Sequence, residues 1–354
     1  MRVYYDYQIM LAQKFGGISR YVYEVSKRLP SLGADVAMRV IHNRNYYFSQ
    51  KFAFNDSSSL PELAAFHLIN KAARYIDLRS GKFDIFHPTY YYADKFSGSK
   101  FVVTVHDMTH ELYSLNRRVI LAKRKIIPQA DRIIAVSQNT KLDILKFFPE
   151  IEPERISVIY HGASMSPKVN KTKALVPYDY VLFVGLRSMY KNFARFSQAM
   201  KPLMARNREL NVLCVGGGSF TKEELSSFGE FSGRFHQLSL SDEDLARAYG
   251  GALCFVFPSE YEGFGIPLLE AFACSCPVVC SGSSSLPEVA GEAAEYFDAL
   301  DVDGMAGAVE RVIESGSMRR DLIGKGLERL KFFDWDKAAK QTLECYIITL
   351  KGEN

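Results

Sequence analysis

Two glutamates in the second half of the chain stand where they could bind a ligand. Glu262 lies in a glycine-rich loop after the strand-like run Leu253–Ser259, and Glu270 lies inside the helix predicted to follow. A loop between a strand and a helix N-terminus directs backbone N–H groups and the positive end of the helix dipole towards an anion. Carboxylates repel a bare phosphate, but they accept hydrogen bonds from hydroxyl groups. The pattern therefore predicts a ligand that carries phosphate and hydroxyl groups together, as a nucleotide sugar does.

Three further side chains with useful chemistry follow predicted strands. Arg187 and Lys191 come after the strand Tyr180–Val184, where two fixed cations could hold a diphosphate and stabilise it as a leaving group. His106 comes after the strand Phe101–Val105 and could hydrogen-bond a sugar hydroxyl or help to stabilise a transition state. Each has an ordinary alternative, because surface cations are commonly solvated and a lone histidine is commonly structural.

Other motifs narrow the class of enzyme. The pairs of glycines at Gly16–Gly17 and within Gly216–Gly218 could allow close approach of a ligand or could form simple turns. Neither matches the Gly-X-Gly-X-X-Gly fingerprint, and no phosphate-loop Lys-Ser/Thr follows. The sequence therefore lacks the main motifs of a dehydrogenase or a nucleoside triphosphatase. Three acidic pairs precede predicted helices, where capping explains them better than metal binding does. They are Asp242/Asp244, Asp301/Asp303 and Asp334/Asp336, and no metal site is expected.

Strands and helices alternate along the chain, which is typical of parallel sheets covered by helices. The predicted strands are Arg2–Tyr5, Asp35–Ile41, Phe83–Phe86, Phe101–Val105, Arg132–Val136 and Ile156–Tyr160, then Tyr180–Val184, Asn211–Val215, Leu253–Phe257 and Val278–Cys280. The predicted helices are Ile18–Leu29, Pro61–Leu78, Asn116–Gln129 and Asn139–Phe148, then Phe193–Arg206, Glu223–Phe231, Glu243–Gly250, Ile266–Cys274, Asp303–Glu314 and Met318–Lys331.

Two such series predict two doubly wound α/β domains that bind ligands beyond the carboxyl ends of their strands. The boundary is expected within 162–178, so that the domains comprise residues 1–167 and 168–334. A last helix is predicted over Trp335–Leu350, with Asp334 as its N-cap.

The composition is that of a globular protein, with 47% hydrophobic and 24% charged residues among 354, a length that suits two domains. No apolar run reaches the ~18 residues of a membrane-spanning helix, and the N-terminus is typical of a first strand rather than a signal peptide. The six cysteines lack metal-binding spacing and lie mostly in apolar runs. They indicate buried thiols in a reducing cytoplasm.

Charge is distributed unevenly along the chain. Residues 1–167 hold 23 Lys+Arg against 15 Asp+Glu, a balance of +8, and the remainder holds 21 against 25, a balance of −4. The segment Asn116–Ile127 is basic and amphipathic, so it could lie on an anionic membrane surface or be a surface helix that faces its own core. The basic residues do not interleave with a recognisable nucleic-acid-binding module, so no nucleic-acid partner is expected.

Six segments, taken in order, resemble the group-1 type of glycosyltransferase family 4, which has the GT-B fold. They are Gly16–Tyr21, Val105–Asp107, Ala130–Ser137, Val158–Gly162, Gly185–Asn192 and Ser259–Glu270, and the resemblance covers nearly the whole chain. It implies two Rossmann-like domains that face a central cleft. The first would bind the acceptor and the second the nucleotide-sugar donor, and the C-terminal helix 335–354 would cross back onto the first domain.

The resemblance also implies a role for each matching residue. Glu262 would contact the donor sugar and act with His106 in catalysis, Glu270 would hold the ribose, and Arg187 and Lys191 would bind the diphosphate. The other implied donor contacts are Gly17, Leu238, Gly263, Phe264, Gly265, Ile266, Pro267 and Leu268. One position departs from the common pattern, because Leu186 separates Gly185 from the arginine, whereas Lys191 keeps its usual offset.

The favoured interpretation is a retaining, metal-independent hexosyltransferase that needs no cofactor and takes GDP-mannose as its donor. Its acceptor would be a glycan or lipid-linked glycan of a surface polysaccharide, built in the cytoplasm or at the inner face of the membrane. No well-placed nucleophile stands out, which favours front-side attack with the departing phosphate as base. Two alternatives are a nucleotide-sugar epimerase of the same fold and a non-catalytic sugar-nucleotide-binding protein. The presence of Lys191, Glu262, Glu270 and His106 argues against the second.

Overall fold

The computed structural model describes residues 1–40, 43, 45–49, 60–165, 175–187 and 189–352. The chain divides into two compact units: unit 1 comprises Met1–Gly162 with Asp334–Asn354, and unit 2 comprises Ala163–Phe333. The predicted boundary between residues 167 and 168 lies outside the described residues.

Unit 1 contains a six-stranded parallel sheet in the order β2–β1–β3–β4–β5–β6. The strands are β1 (Arg2–Tyr5), β2 (Asp35–Met38), β3 (Ile85–His87), β4 (Lys100–Val105), β5 (Arg132–Ala135) and β6 (Ile156–Val158). Its helices are α1 (Gln8–Ala12), α2 (Gly17–Ser26), α3 (Tyr46–Ser49), α4 (Leu60–Ser80), α5 (Thr109–Tyr113), α6 (Arg117–Ile126) and α7 (Gln138–Phe147). Strands such as β4 are almost continuously apolar because both faces of a parallel sheet are covered.

Unit 2 contains a second six-stranded parallel sheet, in the order β12–β11–β10–β7–β8–β9. The strands are β7 (Tyr180–Val184), β8 (Asn211–Val215), β9 (Phe235–Leu238), β10 (Cys254–Phe257), β11 (Val278–Ser281) and β12 (Ala294–Phe297). Its helices are α8 (Phe193–Arg206), α9 (Lys222–Phe228), α10 (Asp242–Gly251), α11 (Ile266–Ala273), α12 (Leu286–Ala290), α13 (Val302–Glu314) and α14 (Gly316–Leu330).

The predicted α/β fold class is confirmed, and every predicted strand and helix is present with ends shifted by a few residues. Two strands were not predicted, β9 and β12. Both are edge strands whose side chains are partly exposed, so their sequences lack a long apolar run. Capping explains the acidic pairs: Asp301 and Asp334 are N-caps, and Asp242 and Asp244 lie in the first turn of α10.

The last helix, α15 (Trp335–Lys351), belongs to unit 1 and completes its core. Trp335 and Tyr346 pack in the same apolar cluster as residues of β1 and α2. The buried Tyr346 hydroxyl lies 2.5 Å from the Tyr5 hydroxyl and 2.6 Å from Nδ1 of His87. A buried hydroxyl needs such partners to offset its lost hydration, so these bonds fix how α15 sits on the sheet.

All six cysteines are buried thiols, as their apolar surroundings predict. Within the described ranges, no helix has both the length and the apolar character needed to cross a lipid bilayer.

Candidate functional site

The order of the strands places a crevice in unit 2 between β7 and β10. From β7 the chain continues through β8 and β9 on one side, and β10 then pairs with the other side of β7. Open parallel sheets bind ligands at such a switch point, beyond the carboxyl ends of the strands. Lys191 follows β7 and Glu262 follows β10, so two residues singled out in the sequence lie at this crevice.

Hydrogen bonds tie the two loops of the crevice together. The buried Asn192 donates from Nδ2 to the carbonyl oxygens of Pro258, at 3.1 Å, and Ala299, at 2.5 Å. The backbone N–H of Glu260 donates to the Tyr190 carbonyl at 2.8 Å. Asn192 was noticed in the sequence only as part of a segment, because its partners are distant in the chain.

Lys191 and Glu262 form an ion pair, with Nζ 2.6 Å from Oε1. Their side chains are only 18% and 13% exposed, so water screens the pair incompletely. An ammonium group has several N–H donors and can hold a carboxylate and a second anion at once. The pair therefore provides a positive group for a phosphate beside a carboxylate that can accept from a hydroxyl.

Two serines hold the backbone of Glu262. Its N–H donates to Ser284 Oγ at 2.8 Å, and its carbonyl accepts from Ser284 at 3.1 Å and from Ser285 at 2.9 Å. Sequence reasoning did not identify these serines, although the serine-rich run 281–285 directly after β11 was a usable signal. They fix the residue on which the ion pair is built.

The start of α11 offers fewer backbone donors than the sequence indicates. Gly265, at φ +100°, precedes the helix, and an added Cβ there would lie 2.9 Å from the Leu286 side chain. Pro267 has no N–H, and the N–H of Leu268 donates to the Gly265 carbonyl at 3.0 Å. Donor contacts at Gly263, Phe264 and Ile266 remain predictions, but Leu268 contributes its N–H to the turn itself.

Glu270 lies on α11 and is only 7% exposed. Tyr249, buried on α10, donates its hydroxyl to Glu270 Oε2 at 3.3 Å. Burial and the neighbouring Glu270 carboxylate raise the pKa of Tyr249 well above its usual value, so this hydroxyl keeps its proton. Tyr249 therefore orients the carboxylate that the resemblance assigns to the ribose. No sequence motif points to Tyr249, because it lies 21 residues before Glu270 on another helix.

Arg187 is engaged away from Lys191. Its Nε lies 2.7 Å from Glu224 Oε1, and its guanidinium donates to backbone carbonyls of the loop 216–219. The last residue of β9, Leu238, uses its carbonyl to accept from the Gly216 N–H at 3.2 Å. Arg187 and Leu238 thus both contact the glycine loop after β8, and their contacts with a donor stay predictions.

His106 and Gly17 lie in unit 1. His106 follows β4. Its ring packs edge-on to Tyr21, with the ring centres 5.1 Å apart, and stacks on His161, with the ring centres 5.9 Å apart. Gly17 is the exposed first residue of α2. The described residues of unit 1 therefore place His106 in an aromatic cluster at the end of a strand.

Burial keeps three histidines of unit 1 neutral: His87, His106 and His161. Loss of hydration on burial is the main cause that lowers the pKa of His106, and the neighbouring His87 and Lys123 lower it further. Burial lowers the pKa of His87 to about 3, and burial with His106 nearby lowers that of His161 well below its usual value. At neutral pH His106 is a neutral imidazole that can exchange hydrogen bonds but carries no positive charge.

Lys123 is buried inside the amphipathic helix α6. Its Nζ donates to the Asp107 carbonyl at 2.7 Å and to Glu111 Oε2 at 3.0 Å, and it is 1% exposed. One of the five basic residues of the segment Asn116–Ile127 therefore supports the loop after His106. The other four, Arg117, Arg118, Arg124 and Lys125, are exposed.

Two family models match the chain. One, described as "Glycosyl transferases group 1", matches residues 167–329, and the other, "Glycosyltransferase Family 4", matches residues 15–166. O-antigen chain mannosyltransferase B of Escherichia coli is 28% identical, over 93% of this chain and 95% of that relative.

A second relative and a solved structure are also glycosyltransferases. The MMP alpha-(1->4)-mannosyltransferase of Mycolicibacterium hassiacum is 27% identical over 82% of this chain and 76% of its own length. The solved structure of sucrose-phosphate synthase from Thermosynechococcus elongatus superposes with a TM-score of 0.75 at 18% identity, covering 99% of each chain. This structural likeness shows the GT-B fold.

Acid should destabilise unit 1. His87 and His161 bind protons in the unfolded chain below about pH 6.5, but in the folded state they do so only at much lower pH. The stabilising contribution of His87 is thus complete above about pH 6.5 and is lost as the pH falls towards about 3, at about 1.4 kcal/mol per pH unit. That of His161 is lost in the same direction as the pH falls. Urea denaturation at several pH values measures this. His87→Gln should flatten the dependence, and parallel curves for parent and variant would contradict the assignment.

Proposed function

Because the two matching family models together cover residues 15–329, the chain belongs to the group 1 and family 4 glycosyltransferases, and we propose that it transfers mannose. The donor in this proposal is GDP-mannose, and the acceptor is a glycan or lipid-linked glycan of a surface polysaccharide. The observation that carries it is the match to O-antigen chain mannosyltransferase B, which spans almost all of both chains.

In the proposed reaction, unit 2 binds the donor at the crevice between β7 and β10. Lys191 holds the diphosphate, and Glu262, paired with it at 2.6 Å, accepts from hydroxyls of the sugar. Glu270, oriented by Tyr249, holds the ribose hydroxyls. This arrangement supplies positive charge from a side chain at the position where a leaving diphosphate develops negative charge.

Front-side attack would retain the configuration of the sugar. The bond between the anomeric carbon and the phosphate oxygen breaks, and its electron pair stays on the diphosphate. The acceptor hydroxyl oxygen bonds to the same face of that carbon, and its proton passes to the departing phosphate oxygen. His106, neutral because of its environment, contributes hydrogen bonding to the sugar rather than charge. A trapped covalent glycosyl-enzyme would contradict this route.

Acceptor-dependent release of nucleoside diphosphate tests the function. We expect GDP to be released from GDP-mannose only when a mannose-containing glycan acceptor is present, and each GDP should match one sugar added to the acceptor. The same assay with UDP-glucose tests the choice of donor. Interconversion of the donor sugar without release would instead indicate an epimerase, and binding without either reaction would indicate a non-catalytic protein.

Two substitutions should test separately the contacts with the diphosphate and with the ribose of the donor. Lys191→Ala should raise KM and lower kcat together, by about tenfold or more in kcat/KM, because a phosphate contact strengthens as the diphosphate leaves. Glu270→Ala should weaken calorimetric binding of free GDP by about 1.5–3 kcal/mol, the usual cost of losing a charge-assisted hydrogen bond.

Lys325→Ala is the matched control for both, because Lys325 is an exposed lysine of unit 2 that pairs with Asp321 on α14. Kinetics of Lys191→Ala equal to those of this control would remove Lys191 from the site. Equal GDP affinity for Glu270→Ala would remove the ribose contact.

Peripheral membrane contact is proposed through the exposed face of α6. Arg117, Arg118, Arg124 and Lys125 are exposed there together with Leu121, and Lys123 plays no part because it is buried. Cations beside an exposed apolar side chain favour an anionic lipid surface.

Neutralising these four cations with glutamine should reduce co-sedimentation with vesicles rich in phosphatidylglycerol. A variant with Lys27, Lys337, Lys340 and Lys351 neutralised removes as many charges from other helices or helix ends of unit 1 and should pellet like the parent. Equal pelleting by both variants would rule out α6 as the contact.

A further inference from the structure

The loop after β8 has an unusual backbone. Gly216, Gly217 and Gly218 all have positive φ angles, of +88°, +73° and +72°, which side-chain-bearing residues rarely adopt. The loop lies beside Gly185 at the end of β7, at the same sheet edge from which Lys191 extends. Gly217, Gly218 and Ser219 are exposed.

Arg187 holds this loop from one side. Its guanidinium donates to the carbonyls of Gly216 at 3.0 Å, Gly218 at 3.0 Å and Ser219 at 2.9 Å. It lies 4.8 Å from the ring centre of Phe220, forms the ion pair with Glu224, and its side chain is 5% exposed. A guanidinium with this many partners inside the protein has little capacity left for a ligand.

Peptide geometry then fixes where the N–H groups of the loop point. In a trans peptide, the carbonyl of one residue and the N–H of the next point in opposite directions, and the described chain contains no cis peptide. Because the carbonyls from Gly216 to Gly218 converge on Arg187, the N–H groups of Gly217, Gly218 and Ser219 face away from it. Neighbouring N–H groups that point outward together form an anion-binding concavity.

Resting on the proposed function, we infer that the loop Gly216–Ser219 binds the diphosphate of the donor through these N–H groups. Arg187 is then a positioning residue that acts from behind the loop, in contrast to the direct contact that the resemblance implies. The carbonyl ends of the peptides are satisfied by the guanidinium, so the ends that remain for a ligand are donors. Backbone N–H groups bind anions such as the diphosphate and do not bind cations.

Gly218→Ala tests the loop. An added Cβ at Gly218 meets nothing within 4 Å, so the substitution acts through the unfavourable positive φ and not through a clash. We expect about tenfold weaker calorimetric binding of GDP, the effect of losing one or two such hydrogen bonds, and unchanged binding of guanosine. Gly33→Ala is the matched control, because Gly33 has φ +91° and equally open surroundings in unit 1.

A double-mutant cycle tests the positioning role. If Arg187 acts through the loop, Gly218→Ala adds little once Arg187→Ala has already released the loop, so the double variant binds GDP about as weakly as the weaker single variant. If the fold-losses of GDP affinity in the two single variants instead multiply in the double variant, Arg187 makes an independent, direct contact and the positioning role is overturned. Should Arg187→Ala fail to fold, Gly218→Ala still decides the loop.

The outcomes distinguish this inference from the proposed function. If the parent transfers mannose and Gly218→Ala binds GDP as tightly as the Gly33→Ala control, the loop assignment fails alone. If the parent binds neither GDP nor UDP, both fail together.

Discussion

The crevice of unit 2 depends on the hydrogen bonds that join the loops after β7 and β10. Parallel pairing of these strands brings together segments about 70 residues apart, and Asn192 then ties one loop to the backbone of the other through Pro258. Lys191 lies one residue before Asn192, and Glu262 lies four residues after Pro258. The two side chains form an ion pair. Opposite charges held together in this way offset part of each other's cost of burial, so the site can keep both charges ready before a ligand arrives.

The same constraint explains why the two cations after β7 have different environments. Lys191 lies in the turn that Asn192 anchors, whereas Arg187 comes three residues after the strand β7 and reaches the glycine loop that follows the neighbouring strand β8. From the sequence, both are cations at a strand end, and only the displaced position of Arg187 relative to the family pattern distinguishes them. The distinction comes from Glu224 and the carbonyls of Gly216 and Ser219, which lie about 30 residues away in the chain.

The fold was largely predictable from sequence, because buried parallel strands leave apolar runs and the helices between them are periodic. The predictions missed β9 and β12 because an edge strand is exposed on one side and needs no apolar run. Side-chain partnerships were less predictable. Lys123 has the residue type of a surface position, yet it lies on the buried face of its helix with Val119 and Ile126, where Glu111 and the Asp107 carbonyl compensate its burial. Tyr249 and Ser284 were missed for the same reason, since only the folded chain brings them to Glu270 and Glu262.

The buried histidines His87 and His106 of unit 1 supply no positive charge at neutral pH. Burial in the core lowers the pKa of His87 and keeps it neutral, and burial is also the main cause that lowers the pKa of His106 and keeps that ring neutral. A neutral imidazole can align a sugar hydroxyl, but it stabilises a leaving diphosphate far less than a cation does. In the proposed transfer, the positive charge for that step comes from Lys191 and from backbone N–H groups of unit 2. In the proposed transfer, hydrogen-bonding alignment therefore falls to His106 of unit 1 and charge stabilisation to residues of unit 2.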